Sequence, residues 1–356
     1  MIYLNYNRDY PITFEALDAY NKSVKENVLD NLKQSEIIKK EIKNIANIFN
    51  VMDSEINFTT GVTEANNIAL IGTAIANHKK GNHIIVSRLE DSSVYKICDY
   101  LTSIGFVIDY VNNDKDGLID FDDLKRLVKE DTILVSIAAV NANMGIRQPL
   151  KMIRQIIKKE NQNTLLHSDF SYAIGKVAIG FHDVDLASVS SSLIGGPKGI
   201  GLLYKSDIVK VSPLMYGKNI SCFENDIPLI KSFSVALLNA VNDIEKKEHF
   251  ISRLNEKIIN GLRNIDVNIN RTNYSIAHII NISLPNNNAG LIYNALKEKK
   301  IFVGYVDGLD TSVMAVYNDK KRASYTLVIS LSYKTTTEEV SSFIGEFLLA
   351  YNKYRG

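Results

Sequence analysis

The chain has 356 residues, 46% hydrophobic and 23% charged, which supplies a large core and excludes a disordered polymer. Its 41 Lys and Arg against 40 Asp and Glu leave a formal net charge of +1, so binding to nucleic acid or a membrane through bulk charge is not expected. Cys98 and Cys222 show neither CxxC spacing nor a neighbouring His pattern, which argues against a disulfide framework or a metal site. No apolar run reaches the roughly 18 residues that cross a bilayer, and the opening MIYLNYNRDYP lacks the regions of a leader; a soluble cytoplasmic protein is expected.

Helix formers with apolar positions three and four apart predict one or two amphipathic helices over 14–48. β-Branched runs at 84–87, 107–111, 132–139, 164–168 and 186–190 then alternate with helical stretches at 63–78, 92–104, 121–129 and 149–158. This alternation predicts an α/β fold: a mostly parallel sheet covered on both faces, with a ligand site at the carboxyl ends of its strands. After about residue 250 the texture changes. A helix at 251–264, a strand at 278–284, a helix at 289–299, a strand at 325–331 and a terminal helix at 337–351 suit a smaller α+β unit.

Four segments stand at strand-to-loop or loop-to-helix joints. FTTGVTEANN (58–67) ends a strand at Gly61 and opens a helix carrying Thr63 and Glu64, where free N–H groups form either an anion seat or an ordinary cap. HSDFSY (167–172) puts Asp169 after an apolar strand, where a carboxylate suits a cationic ring nitrogen, a metal or a turn cap. SVSSSLIGGPKGIGLLY (188–204) is a hydroxyl-rich loop running into a Gly-rich turn, without P-loop or dinucleotide spacing. In SRLEDSSVYKIC (87–98), Glu90 and Asp91 lie at a helix start, where capping is the favoured reading. Cys98 falls on an apolar helical stripe, as a buried inert thiol does.

In order, YLNY, FTTGVTEANNIALIG, HIIVS-x-x-E, DTILVSIAAVNANMGIRQPL, HSDFSYAIGKV, GGPKGIGLLY and SLSYKTTTEEV resemble the class V aminotransferase family and, within it, the cysteine desulfurases, nearly end to end. The resemblance implies fold type I of the pyridoxal-phosphate (PLP) enzymes, with a seven-stranded type of central sheet and a homodimer with its active site at the subunit interface. It also implies a large domain of residues 14–250 and a small α+β domain of 1–13 plus 251–356.

At the positions that the resemblance assigns to catalysis, this chain differs. Leu193 stands at the Schiff-base lysine and Ser192 at the preceding histidine, whereas Lys198 matches the family's second lysine. Asp91 replaces the histidine that stacks on the cofactor ring, Ala142 the asparagine at its phenolic oxygen, and Tyr172 a glutamine. Val328 takes the place of the substrate arginine, and residues 304–313, without a cysteine, replace the catalytic loop. Asp226 falls in the element that would reach the partner's phosphate. A carboxylate ~4 Å from a phosphate charge would repel it by about 4 kcal/mol at an effective dielectric of ~20.

Gly61, Thr63, Asp169, Ser190 and Ser192 remain as a remnant cofactor pocket, beside Asp91, Ala142, Tyr172 and Asp226. A leucine forms no imine, so PLP is expected only noncovalently, if at all. The expected role is that of a degenerate, non-catalytic binding or regulatory homologue, with a partner in sulfur or PLP-enzyme metabolism. The competing expectation is an enzyme using PLP or another small ligand noncovalently.

Overall fold

The computed structural model describes residues 1–28, 30–216, 220–284 and 288–354. Among them twelve strands form two sheets. In chain order they are β1 (Ile2–Leu4), β2 (Ile56–Thr59), β3 (His83–Ser87), β4 (Val107–Val111), β5 (Thr132–Ser136), β6 (Leu165–Asp169), β7 (Leu186–Ser190), β8 (Gly201–Lys205), β9 (Asn268–Asn270), β10 (Ile279–Ser283), β11 (Ile301–Leu309) and β12 (Ser324–Ser330).

The larger sheet has seven strands in the order β2-β8-β7-β6-β5-β3-β4. Neighbours from β7 through β4 run parallel, while β8 is antiparallel to both β2 and β7. Every residue of β3, β5 and β7 is buried, as in a sheet covered on both faces. The two-residue repeat of a strand divides their side chains between two cores. Ile85, Val135, Leu166 and Val189 pack with Ile153, Ile157 and Phe233 on one face; Ile84, Val86, Leu134 and Leu186 pack with Val94, Ile97 and Leu101 on the other.

The second sheet, in the order β1-β11-β12-β10-β9, joins residues near the start of the chain to its last third. Ile280, Ile282, Val303, Leu327 and Ile329 pack against the helices Ile244–Gly261 and Thr337–Tyr354. Its opposite face carries Val328 and Ile279, which join the first sheet's core, and a polar group in which Asn281 and Thr326 donate to Asp310 at 2.9 and 2.8 Å.

Three local features depart from the periodicity. Residues 304–313 are not a loop: β11 runs through Leu309 with a register shift between Val306 and Leu309, and a helix, Thr311–Tyr317, follows at once. Two glycines in IFVGYVDGL obscure the strand in sequence, and Gly308, at φ +99°, accommodates the irregularity. The helix expected over 63–78 is broken by a π-helical turn, Ile68–Gly72, between Val62–Asn67 and Thr73–Asn77. Asp226 caps a further helix, Ile227–Val241, which periodicity had not singled out.

Candidate functional site

The carboxyl ends of the parallel strands gather the acidic residues. Asp169, the last residue of β6, is buried and accepts from Asn66 Nδ2 at 2.9 Å and Ser171 N–H at 2.8 Å. Burial, with the charge of Asp91 added, outweighs those donors and pushes its carboxyl above the ordinary range. Beyond β3, Glu90 is 6% exposed; its Oε1 accepts from Ala138 N–H at 2.6 Å and its Oε2 has no partner among the described residues. Burial, reinforced by Asp169 and Asp91, lifts this carboxyl to about 8. Asp91 caps the helix Ser92–Ser103 by accepting from Ser93 N–H at 2.9 Å. Thus Asp91 does the capping, whereas Glu90 turns inward. Tyr172 shares this neighbourhood: burial and then the charges of Asp91 and Asp169 push its phenol upward.

The turn after β2 sits close to β7 and β8. Gly61, at φ +152°, is the N-cap residue, and no side chain caps the helix there. Glu64 folds back instead. Its Oε2 accepts from Thr60 N–H at 2.6 Å and Thr60 Oγ1 at 2.9 Å, and its Oε1 from Cys222 N–H at 2.7 Å and Ser221 Oγ at 3.0 Å. Burial alone would raise this carboxyl, but the Thr60 and Cys222 donors hold it below its ordinary value. A carboxylate therefore already stands beside the helix start that would seat a phosphate. Thr63 is exposed on that first turn, and Ser190 Oγ lies 3.1 Å from Ser192 Oγ.

Other expected site residues have different surroundings. Leu193 ends a short 3-10 turn, Ser191–Leu193, and is buried beside Tyr10, Lys176 and His278. Val328 is buried in β12, opposite Gly304 of β11 and Asn281 of β10. The carbonyl of Ala142 accepts from Asn7 Nδ2 at 2.9 Å. Asp226 accepts from Leu229 N–H at 2.8 Å and Asn27 Nδ2 at 3.1 Å, so its carboxylate serves as a helix cap. Lys198 is exposed and ion-paired to Asp9 at 2.8 Å.

Sequence reasoning overlooked Asn66, which lies one helical turn after Thr63, and the inward orientation of Glu90. The first has a signal in its three-residue spacing; the second has none, because adjacent acids at a helix start read alike until one is buried.

The class V aminotransferase family model matches residues 13–227, more than half of the chain. The chain belongs to the class V aminotransferase family. Within that family it is cysteine desulfurase-like. It is 32% identical to the cysteine desulfurase IscS of Buchnera aphidicola over 323 residues, which cover 85% of this chain and 80% of that one. Over 278 residues it is 34% identical to the IscS of Methanosarcina thermophila, covering 74% and 68%. The match to IscS 1 of Archaeoglobus fulgidus, 32% identical over 240 residues, covers 66% of this chain and 62% of that protein. Among solved structures, a NifS-like protein superposes with a TM-score of 0.93 at 28% identity, covering 98% of this chain and 99% of the other. The family implies PLP and fixes fold type I for the chain.

Proposed function

We propose that this protein is a non-catalytic, dimeric member of the cysteine desulfurase-like group whose role is binding or regulation. The observation that carries the reading is Leu193 at the end of the turn after β7, together with a pair of buried carboxyls, Glu90 and Asp169, that have only neutral donors as hydrogen-bond partners. A lysine-dependent enzyme of this group needs an amine at that turn to hold the cofactor's aldehyde, and leucine has none. Covalently held PLP does not fit these residues. Lys198, close by in sequence, is turned to Asp9 at the exposed surface.

A second reading is supported by Asp169 itself. Its burial and its contact with Asn66 keep a carboxylate where a cationic ring nitrogen would be neutralised, so a small ligand held noncovalently near Gly61, Thr63, Ser190 and Ser192 has a partner there.

Incubation with PLP, borohydride reduction and peptide mass spectrometry should leave no pyridoxyl adduct on residues 188–205, and cysteine should release no sulfide above a heat-treated control. Stoichiometric labelling of Lys198, or sulfide release, overturns the non-catalytic reading. A phosphorylated small molecule released on denaturing the purified protein selects the second reading.

A further inference from the structure

A narrow cavity of about 30 Å³ lies between the Leu193 turn, the segment after β6 and the residues that follow β12. Two of its lining side chains are buried with unsatisfied nitrogens. Lys176 is 7% exposed, and its Nζ makes neither a hydrogen bond nor an ion pair among the described residues. His278 is 6% exposed, and its Nδ1 has no partner among the described residues. Tyr10 Oη and Ser332 Oγ meet at 2.7 Å on the same wall; Tyr10 also bonds the Tyr333 hydroxyl and Ser332 that of Tyr6, so these hydroxyls are satisfied within the protein.

The charges are one-sided. Lys247 also lines the cavity, with its ammonium 4.9 Å from the Tyr333 ring centroid, and no carboxylate is among the lining groups. Asp243 acts on Lys247 and Glu15 on Tyr333 only from outside that lining. Burial lowers the Lys176 amine to about 8, so at neutral pH it remains mostly an ammonium. The same cause drives the His278 imidazole down to about 3, leaving it neutral with one N–H to place. An unpaired ammonium in an apolar interior is costly unless a counter-charge or water reaches it. The space suits one water or one monatomic ion and is too small for a phosphate or a carboxylate-bearing metabolite.

We propose that this cavity binds one small monovalent anion of the halide class, held by Lys176 Nζ and the ring N–H of a neutral His278. The ion ties the segment after β6, which carries Lys176, to His278 just before β10. The assignment is independent of whether any ligand occupies the neighbourhood of Asp169.

Crystals grown in sodium bromide and measured at the bromine absorption edge test it. The expected result is an anomalous peak within roughly 3.5 Å of Lys176 Nζ. In parallel, chloride is compared with gluconate, an anion too large to enter, at matched ionic strength. For a Kd of about 10 mM, 300 mM chloride should raise the folded-to-unfolded ratio about 30-fold in the unaltered protein, and the gain should vanish in Lys176→Met. The absence of a bromide peak, or equal chloride and gluconate curves, overturns the proposal in favour of a buried water. Equal chloride stabilisation of both proteins overturns it as well. Should Lys176→Met fail to fold, the bromide map and salt series of the unaltered protein decide alone.

Discussion

Asp185 and Asp169 lie at opposite edges of the same sheet, and both are buried. At the amino ends of the strands, Asp185 is gripped by Arg154 at 2.9 Å and Lys158 at 3.0 Å, and it accepts from Leu166 N–H at 2.9 Å. At the carboxyl ends, Asp169 has an amide and a backbone N–H but no cation. Full charge pairing marks a carboxylate that holds the fold together. A buried carboxyl with neutral donors is less well compensated, and its pKa rises in response. In an α/β sheet the carboxyl edge is also where ligands bind, so the uncompensated acid lies where a ligand can supply what the protein does not.

This contrast can be broken most severely at the carboxyl edge, where the expected effect depends on pH. Glu90 has a folded pKa of about 8 against an ordinary 4.5, so its contribution is fully present below 4.5 and is lost as pH rises through 8. Between pH 5 and 8.5 the unaltered protein should lose roughly 4 kcal/mol relative to Glu90→Gln, whose amide oxygen can still accept from Ala138 N–H. Parallel stability curves for the two proteins would show that Glu90 is not held neutral.

At the amino edge, Asp185→Ala should lower stability by about 3 kcal/mol in urea unfolding, because it strands two cations and the Leu166 N–H; partial exposure of the cations keeps the loss at the low end for a broken buried pair. A loss near zero would mean that water already screens this edge.

The smallest effect is expected at Asp169. Asn66 Oδ1 has no partner among the described residues, so an asparagine at 169 can donate to it after an amide flip while its own oxygen still accepts from Ser171 N–H. Asp169→Asn should therefore change stability at pH 7 by less than about 1 kcal/mol. A loss as large as that of Asp185→Ala would erase the distinction between the two edges.

Much of the first sheet was legible in sequence. The runs at 107–111 and 186–190 match β4 and β7; β4, a partly exposed edge strand, is read from its β-branched residues, and β7 from a stretch buried along its whole length. β11 was not legible, since its exposed half contains Asp307 and Gly308 and its partners come from residues 2–4 and 324–330. Gly61 and Asp169 could be found from their places at strand ends. The Lys176 and His278 cavity could not. Those two residues lie about a hundred positions apart, and only the packing of β10 and β12 against the first sheet brings them to one wall.

The pairing of β1 with β11 sets a timetable for synthesis. Ile2 aligns with Ile301, and Asn7 N–H donates to Ser330 Oγ across 323 positions. At roughly 5 to 20 residues per second, the first strand leaves the ribosome about 15 to 60 s before its partner exists. The sheet of residues 56–205 can form during that wait, whereas the second sheet cannot close until residues 301–330 have been made. Its slow step is the return of residues 2–4 to residues 301–303, a long-range closure that leaves the edge of β11 open to another chain until β1 docks.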